Sequence, residues 1–177
     1  MAESKKKAKT CIVCGCISEY KACDSCYPIW NRASNKVNAG IRGDGHPVNF
    51  RTPIEKVHNK TITKEENKIG FAREIYRLWK KDKNCHYTGY PMIKKDRNDK
   101  RTFSKWEKYR LFSVDRENGG IYEPGNIVLC CDLINTMKNV LDKGDFDIIV
   151  YEILKHRIDK RADMIDMLAQ LYNDKKT

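Results

Sequence analysis

Apolar positions recur at helical spacing from Ile69 through Phe71, Ala72, Ile75 and Leu78 to Trp79, a pattern that predicts one amphipathic helix with a buried face. Its start is written just upstream, where Thr63 followed by Glu66 makes a capping box. Lys80, Lys81 and Lys83 near its end suit the negative pole of a helix. Over residues 111–115 (LFSVD) the pattern becomes that of a short strand. A turn-rich span follows, with Asn118-Gly119-Gly120 and Pro124-Gly125. Residues 126–130 then predict a second strand, and a helix starts near Asp132, whose carboxylate is placed to cap it. Leu133, Ile134, Met137 and Leu141 give that helix its apolar face. Strand, loop, strand and helix in so few residues make a small ββα unit.

Two further helical stripes follow, one through Phe146, Ile149, Val150, Ile153 and Leu154 and one through Ala162, Ile165, Leu168, Ala169 and Tyr172. They predict a pair of C-terminal helices, packed on the core or pairing two copies into a homodimer. Residues 27–62 carry less pattern. Tyr27, Ile29 and Trp30 are apolar and suited to pack on what precedes them, but Gly40, Gly43, Gly45 and Pro47 interrupt any period. The expectation there is an irregular linker or a DNA-contacting loop, with His46 and His58 as lone surface histidines.

Charge narrows the class of partner. The chain has 35 Lys and Arg against 24 Asp and Glu, a formal net charge of +11 over 177 residues. Such a field favours a polyanion, and nucleic acid is the usual one. The basic excess is densest over residues 94–110, where Phe103, Trp106 and Tyr109 are interleaved. Lys94, Lys95, Arg97, Lys100, Arg101 and Lys105 are the candidates for phosphate contact, while the aromatics are expected to fold back on the core. No apolar run is long enough to span a membrane. The first residues are polar and basic and lack the apolar segment of a signal peptide, so an intracellular protein is expected.

Eight cysteines in such a chain point to metal ligation before disulfides. Cys11-x-x-Cys14 and Cys23-x-x-Cys26 form two knuckles. Each presents two thiolates on one side of a turn, and together they complete a tetrahedral site suited to structural Zn2+. Cys16 falls outside this pairing, as a substitute ligand or a free thiol. Cys85, Cys130 and Cys131, with His86, have no convincing ligand spacing and are expected as buried thiols.

The segment from residue 85 to 142 resembles the core of the HNH (His-Me finger, ββα-metal) nucleases. The residues that carry the likeness are Asp115-Arg116, Gly125-Asn126-Ile127-Val128, Asn135 and Lys138, with Cys85-His86-Tyr87-Thr88-Gly89-Tyr90-Pro91-Met92 similar to the entry motif of many phage-borne members. The resemblance implies a metal-dependent DNA endonuclease of phage or viral type, acting on double-stranded or branched DNA. In that reading Asp115 and Asn135 hold Mg2+ or Mn2+, Asn126 fixes the loop between the strands, and Arg116 and Lys138 bind phosphate. It also implies a bacterial cytoplasm, or the nucleus or viral factory of a eukaryotic host. One position departs from the family: Arg116 stands where the catalytic His belongs, and a guanidinium cannot take a proton from water. His86, Tyr122 or a metal-bound hydroxide are the remaining candidate bases. The alternatives are a catalytically silent, zinc-containing DNA-binding protein on the same fold, or a zinc-stabilised subunit of a viral or transcription assembly.

The expected architecture is therefore α+β. Residues 1–10 form a basic arm, 11–30 a four-cysteine zinc finger, 31–62 a linker or DNA-contacting loop, 63–142 the HNH-like ββα domain with its surrounding helices, and 143–177 the C-terminal helices.

Overall fold

The computed structural model describes residues 8–50, 62–139, 141 and 143–160, with side chains through residue 155. The chain divides into two units, Met1–Asn139 and Val140–Thr177. It mixes helices with two small antiparallel sheets.

In the first unit, β1 (Lys9–Thr10) and β2 (Ile17–Ser18) pair with Lys9 opposite Ser18 and Thr10 opposite Ile17. Helix α1 (Tyr27–Arg42) begins directly after Cys26, with Pro28 in its first turn, where the missing N–H costs nothing. This corrects the expected linker. Ile29, Ala33 and Val37 recur every four residues and are all buried, a stripe that the small Ala33 and the downstream glycines obscure. Residues 51–61, including His58, lie outside the described residues. Helix α2 (Lys64–Lys81) starts at the Thr63–Glu66 capping box, both halves of which are formed, and buries Phe71, Ala72, Ile75 and Trp79. It packs against α1.

A second capping box, Ser104 with Glu107, starts the short helix α3 (Lys105–Tyr109) inside the basic stretch of residues 94–110. Strands β3 (Phe112–Arg116) and β4 (Ile127–Cys131) pair antiparallel, each one residue later than expected. Helix α4 (Asp132–Lys138) follows β4 without a loop. Its N-cap is Cys131, with no side-chain cap bond. Asp132 is the first helical residue instead, and its carboxylate lies 3.6 Å from the Arg32 guanidinium. The expected apolar face is also rotated: Lys138 is buried and Met137 is exposed.

One core joins these elements. Phe50 stacks on Phe71 with ring centroids 4.5 Å apart, Tyr122 lies 5.6 Å beyond Phe71, and Trp79 meets the edge of Phe112. Cys11, Val13, Ala22 and Cys26 belong to the same buried cluster, so the cysteine finger is built onto this core. Successive strand residues face opposite ways. Ser113 and Asp115 therefore point to one side of β3, and Phe112, Val114 and Arg116 to the other.

In the second unit α5 (Lys143–Lys160) is a helix as expected. Ile148, Ile149, Tyr151, Ile153 and Leu154 are exposed on it. The second C-terminal stripe lies outside the described residues. No helix among the described residues is long and apolar enough to cross a membrane.

Candidate functional site

The thiols of Cys11, Cys14, Cys23 and Cys26 all lie within 4.8 Å of one another. The β1–β2 pairing folds the first knuckle back, and the backbone N–H of Cys11 reaches the carbonyl of Cys16 at 2.7 Å. Cys23 donates its backbone N–H to Cys11 Sγ at 3.4 Å. Burial by itself would raise the Cys11 thiol, but amides of Cys14, Cys23 and Val13 outweigh it and bring it down to about 6. Four soft, converging sulfurs, one already favoured as thiolate, fit a metal ion such as zinc. All four positions of a tetrahedron are filled by protein, which suits a structural ion and leaves no place for substrate.

The finger is held by part of the basic segment. Lys94 donates to the carbonyl and hydroxyl oxygens of Ser25. Arg97 donates to the Ala22 carbonyl, and its guanidinium lies 4.0 Å from the Tyr20 ring centre and 4.2 Å from that of Tyr27. Lys94 and Arg97, two of the six expected phosphate contacts, are thus engaged against the finger, and Arg101 is a third held within the protein. Arg101 forms a bidentate pair with Asp99, Nε to Oδ1 and Nη2 to Oδ2, which holds that carboxyl down at about 2. Lys95, Lys100 and Lys105 are exposed. Trp106 is 62% exposed and meets Tyr109 edge to face; Phe103 is buried. The aromatics thus divide, one facing solvent and one the core. A cleft of about 410 Å3 lies alongside, lined by Tyr27, Asn31, Arg32, Asn35, Lys95 and Arg97 among others.

On the α4 side of β3, Asp115 and Lys138 meet in the interior, 2% and 1% exposed. Lys138 Nζ lies 3.1 Å from Asp115 Oδ2 and donates to the Arg116 carbonyl at 3.0 Å. The Tyr87 hydroxyl donates to the same Oδ2 at 2.7 Å. Burial, and then the bond to Asp115, push the Tyr87 phenol up. Beside them Asn135 Nδ2 donates to Ser113 Oγ at 3.1 Å. The fold thus sets Lys138 against Asp115, and Asn135 against Ser113 on the same side of β3. It adds Tyr87 and Ser113, neither of which was singled out for this role. Alternation along β3 could have found Ser113; Tyr87 sits in a separate loop that nothing local ties to Asp115.

These residues fit a divalent cation poorly. Mg2+ takes a near-octahedral set of oxygens. Here the carboxylate oxygen that faces the cluster already holds an ammonium and a phenol. Among the described residues, the four cysteines are the group of His, Cys, Asp and Glu side chains placed to hold a metal.

Arg116 points to the opposite side. Its Nη1 donates to the Gly120 carbonyl at 2.7 Å, its guanidinium lies 5.5 Å from the Tyr122 ring centre, and its buried Nε has no partner. Lys36 of α1 donates to the Tyr122 hydroxyl at 2.8 Å. His46 lies within the field of both cations. Although exposed, it has its proton affinity lowered, first by partial desolvation and then by Arg116 and Lys36. Tyr122, a candidate base, is therefore part of this basic group. His86, another, is directed at Glu117, with Nε2 3.1 Å from Oε1.

Asn126 closes the loop between the strands. Its Oδ1 accepts from the Asn118 N–H, and its Nδ2 donates to the carbonyls of Gly119 and Ile121. Gly125 before it takes φ +87°, which a side chain rarely permits. The three cysteines outside the finger are buried. Hydrogen bonding from Cys131 outweighs burial and brings Cys85 down to about 5, while Cys131 itself is raised. Comparison with protein-family models, with curated proteins and with solved structures gives no match.

Proposed function

We propose that this chain is a zinc-stabilised DNA-binding protein on an HNH-like ββα unit whose Asp115 centre is closed to hydrolysis. The observation that carries the reading is the buried Lys138–Asp115 pair, which neutralises the carboxylate on which metal-dependent cleavage would depend. Arg116, in the place of a general base, cannot act as one and faces the other side of β3. Binding is supported by the net charge of +11 and by the exposed Lys95, Lys100, Lys105 and Trp106 of one basic stretch. Basic groups displace counterions from phosphates, and a solvent-facing indole offers a surface for stacking or for a wedge between base steps.

Metal-dependent endonuclease activity of the HNH type is the second reading. It is favoured by Lys138 set against Asp115 and Asn135 against Ser113 on the same side of β3, next to a loop closed by Asn126.

Two measurements on the same preparation separate the readings. The first is nicking of supercoiled plasmid and branched DNA in Mg2+ or Mn2+, with the wild type beside Asp115→Ala. The second is fluorescence anisotropy on duplex and branched DNA across a salt titration. The expected outcome is no nicking, together with binding that weakens linearly in log salt. Replacing Lys100 and Lys105 together should reduce that slope by about 2. Nicking that Asp115→Ala abolishes would establish the second reading. Absence of salt-dependent binding would overturn both.

A further inference from the structure

The finger holds five cysteines for four metal positions, and the fifth lies against the cluster. Gly15 adopts φ +80°, which turns the chain back immediately after Cys14. The Cys11 N–H to Cys16 carbonyl bond then fixes Cys16 across the knuckle. As a result Cys16 Sγ lies 3.3 Å from Cys14 Sγ, closer than the 3.8 Å between Cys14 and Cys23. Cys16 is exposed, Cys14 and Cys23 are half-buried, and Cys11 and Cys26 are buried. Cys16 thus approaches the site from its solvent side, against Cys14.

We propose that Cys16 is a reserve ligand that exchanges with Cys14 at a zinc centre. Zinc has no geometric preference from its d electrons, and its coordination can expand beyond four during a reaction. A thiol 3.3 Å from a bound thiolate can therefore enter before the other leaves. In the exchange the Cys16–metal bond forms with release of the Cys16 proton, and the Cys14–metal bond breaks as Cys14 takes up a proton. No electron or net proton is transferred. The consequence is a centre that keeps four thiolates when either Cys14 or Cys16 is chemically lost. The inference rests on the four-cysteine metal cluster and is independent of DNA binding, so failure of the DNA-binding test leaves it standing.

The test uses the wild-type protein loaded with zinc. Limiting N-ethylmaleimide is followed by peptide mass spectrometry and metal analysis. Exchange predicts one adduct per finger, found on Cys14 in some molecules and on Cys16 in others, never on both, with one zinc retained. Labelling of Cys16 alone, with Cys14 fully protected, would overturn the proposal. Cobalt-loaded variants give a second readout. Cys14→Ser should keep the four-thiolate spectrum, and Cys14→Ser/Cys16→Ser should lose about one quarter of its sulfur-to-cobalt intensity, one thiolate of four. If Cys14→Ser already shows that loss, Cys16 does not enter the site.

Discussion

Replacing Lys138 by Met removes the ammonium 3.1 Å from Asp115 and leaves a carboxylate that is 2% exposed with the Tyr87 hydroxyl against it. Met matches the length of the Lys stem, so packing changes little, and the cost is that of an uncompensated buried charge. Breaking a buried ion pair from one side destabilises by about 3–5 kcal/mol. That is a large share of the roughly 5–15 kcal/mol that holds a domain together. At about 2–4 °C per kcal/mol for a chain of this size, the midpoint should fall by roughly 6–20 °C. Asp115→Asn should cost a comparable amount, because it strands the Lys138 ammonium. The double variant, Asp115→Asn with Lys138→Met, should lose clearly less than the sum, because the second change removes the charge that the first left unpaired. Urea unfolding of the four proteins, zinc-loaded and without divalent cations, gives the coupling directly. Midpoints are then repeated with millimolar Mg2+, where the wild type should not move. A Lys138→Met cost below about 1 kcal/mol, in the range of an exposed pair, would refute a buried, mutually satisfied pair. So would an Mg2+-induced rise in the wild-type midpoint that Asp115→Asn abolishes, since it would mean the carboxylate binds the ion in solution.

Asn126→Ala removes three hydrogen bonds that close the loop between β3 and β4. It should cost about 1–3 kcal/mol in urea unfolding and speed hydrogen exchange in that loop first. Gly40→Ala places a Cβ 2.7 Å from the backbone oxygen of His46, a contact that forces the loop after α1 to shift. A loss of about 1–3 kcal/mol is expected, and an unchanged midpoint would count against the close approach. His46 binds its proton less readily in the folded chain than its ordinary 6.5. The folded state therefore refuses a proton that the unfolded state accepts. The resulting stability is present above about pH 6.5 and is lost as pH falls through the folded value. His46→Gln should flatten the fall of the melting midpoint below pH 6.5 relative to the wild type, and parallel curves would exclude that contribution.

Local chemistry was enough for several features. The Thr63–Glu66 box and the spacing of Phe71, Ala72, Ile75 and Trp79 specify α2, because a cap and a buried stripe are properties of neighbouring residues. Two C-x-x-C knuckles specify a four-thiol cluster for the same reason. The order of β3, β4 and α4 followed from alternating apolar runs and the turn residues between them, to within one residue. Other local signals are present in the sequence but masked by their surroundings. The stripe of Ile29, Ala33 and Val37 in α1 was hidden by its glycine-rich end, and the Ser104–Glu107 box by the charges around it.

The state of the Asp115 centre could be decided only by the tertiary structure. Asp115, Lys138 and Tyr87 come from a strand, a helix and a separate loop. Whether an ammonium or a hard cation stands beside a carboxylate depends on which side of the helix faces the strand. That rotation buried Lys138 and exposed Met137. Likewise Arg116 and Asp115 are adjacent in the chain, yet the pleat sends them to opposite sides of β3, one toward Tyr122 and the other toward α4. Covalent neighbourhood places residues along an element. Packing decides which of them meet, because the hydrophobic burial that orients each helix and strand is shared among elements distant in sequence.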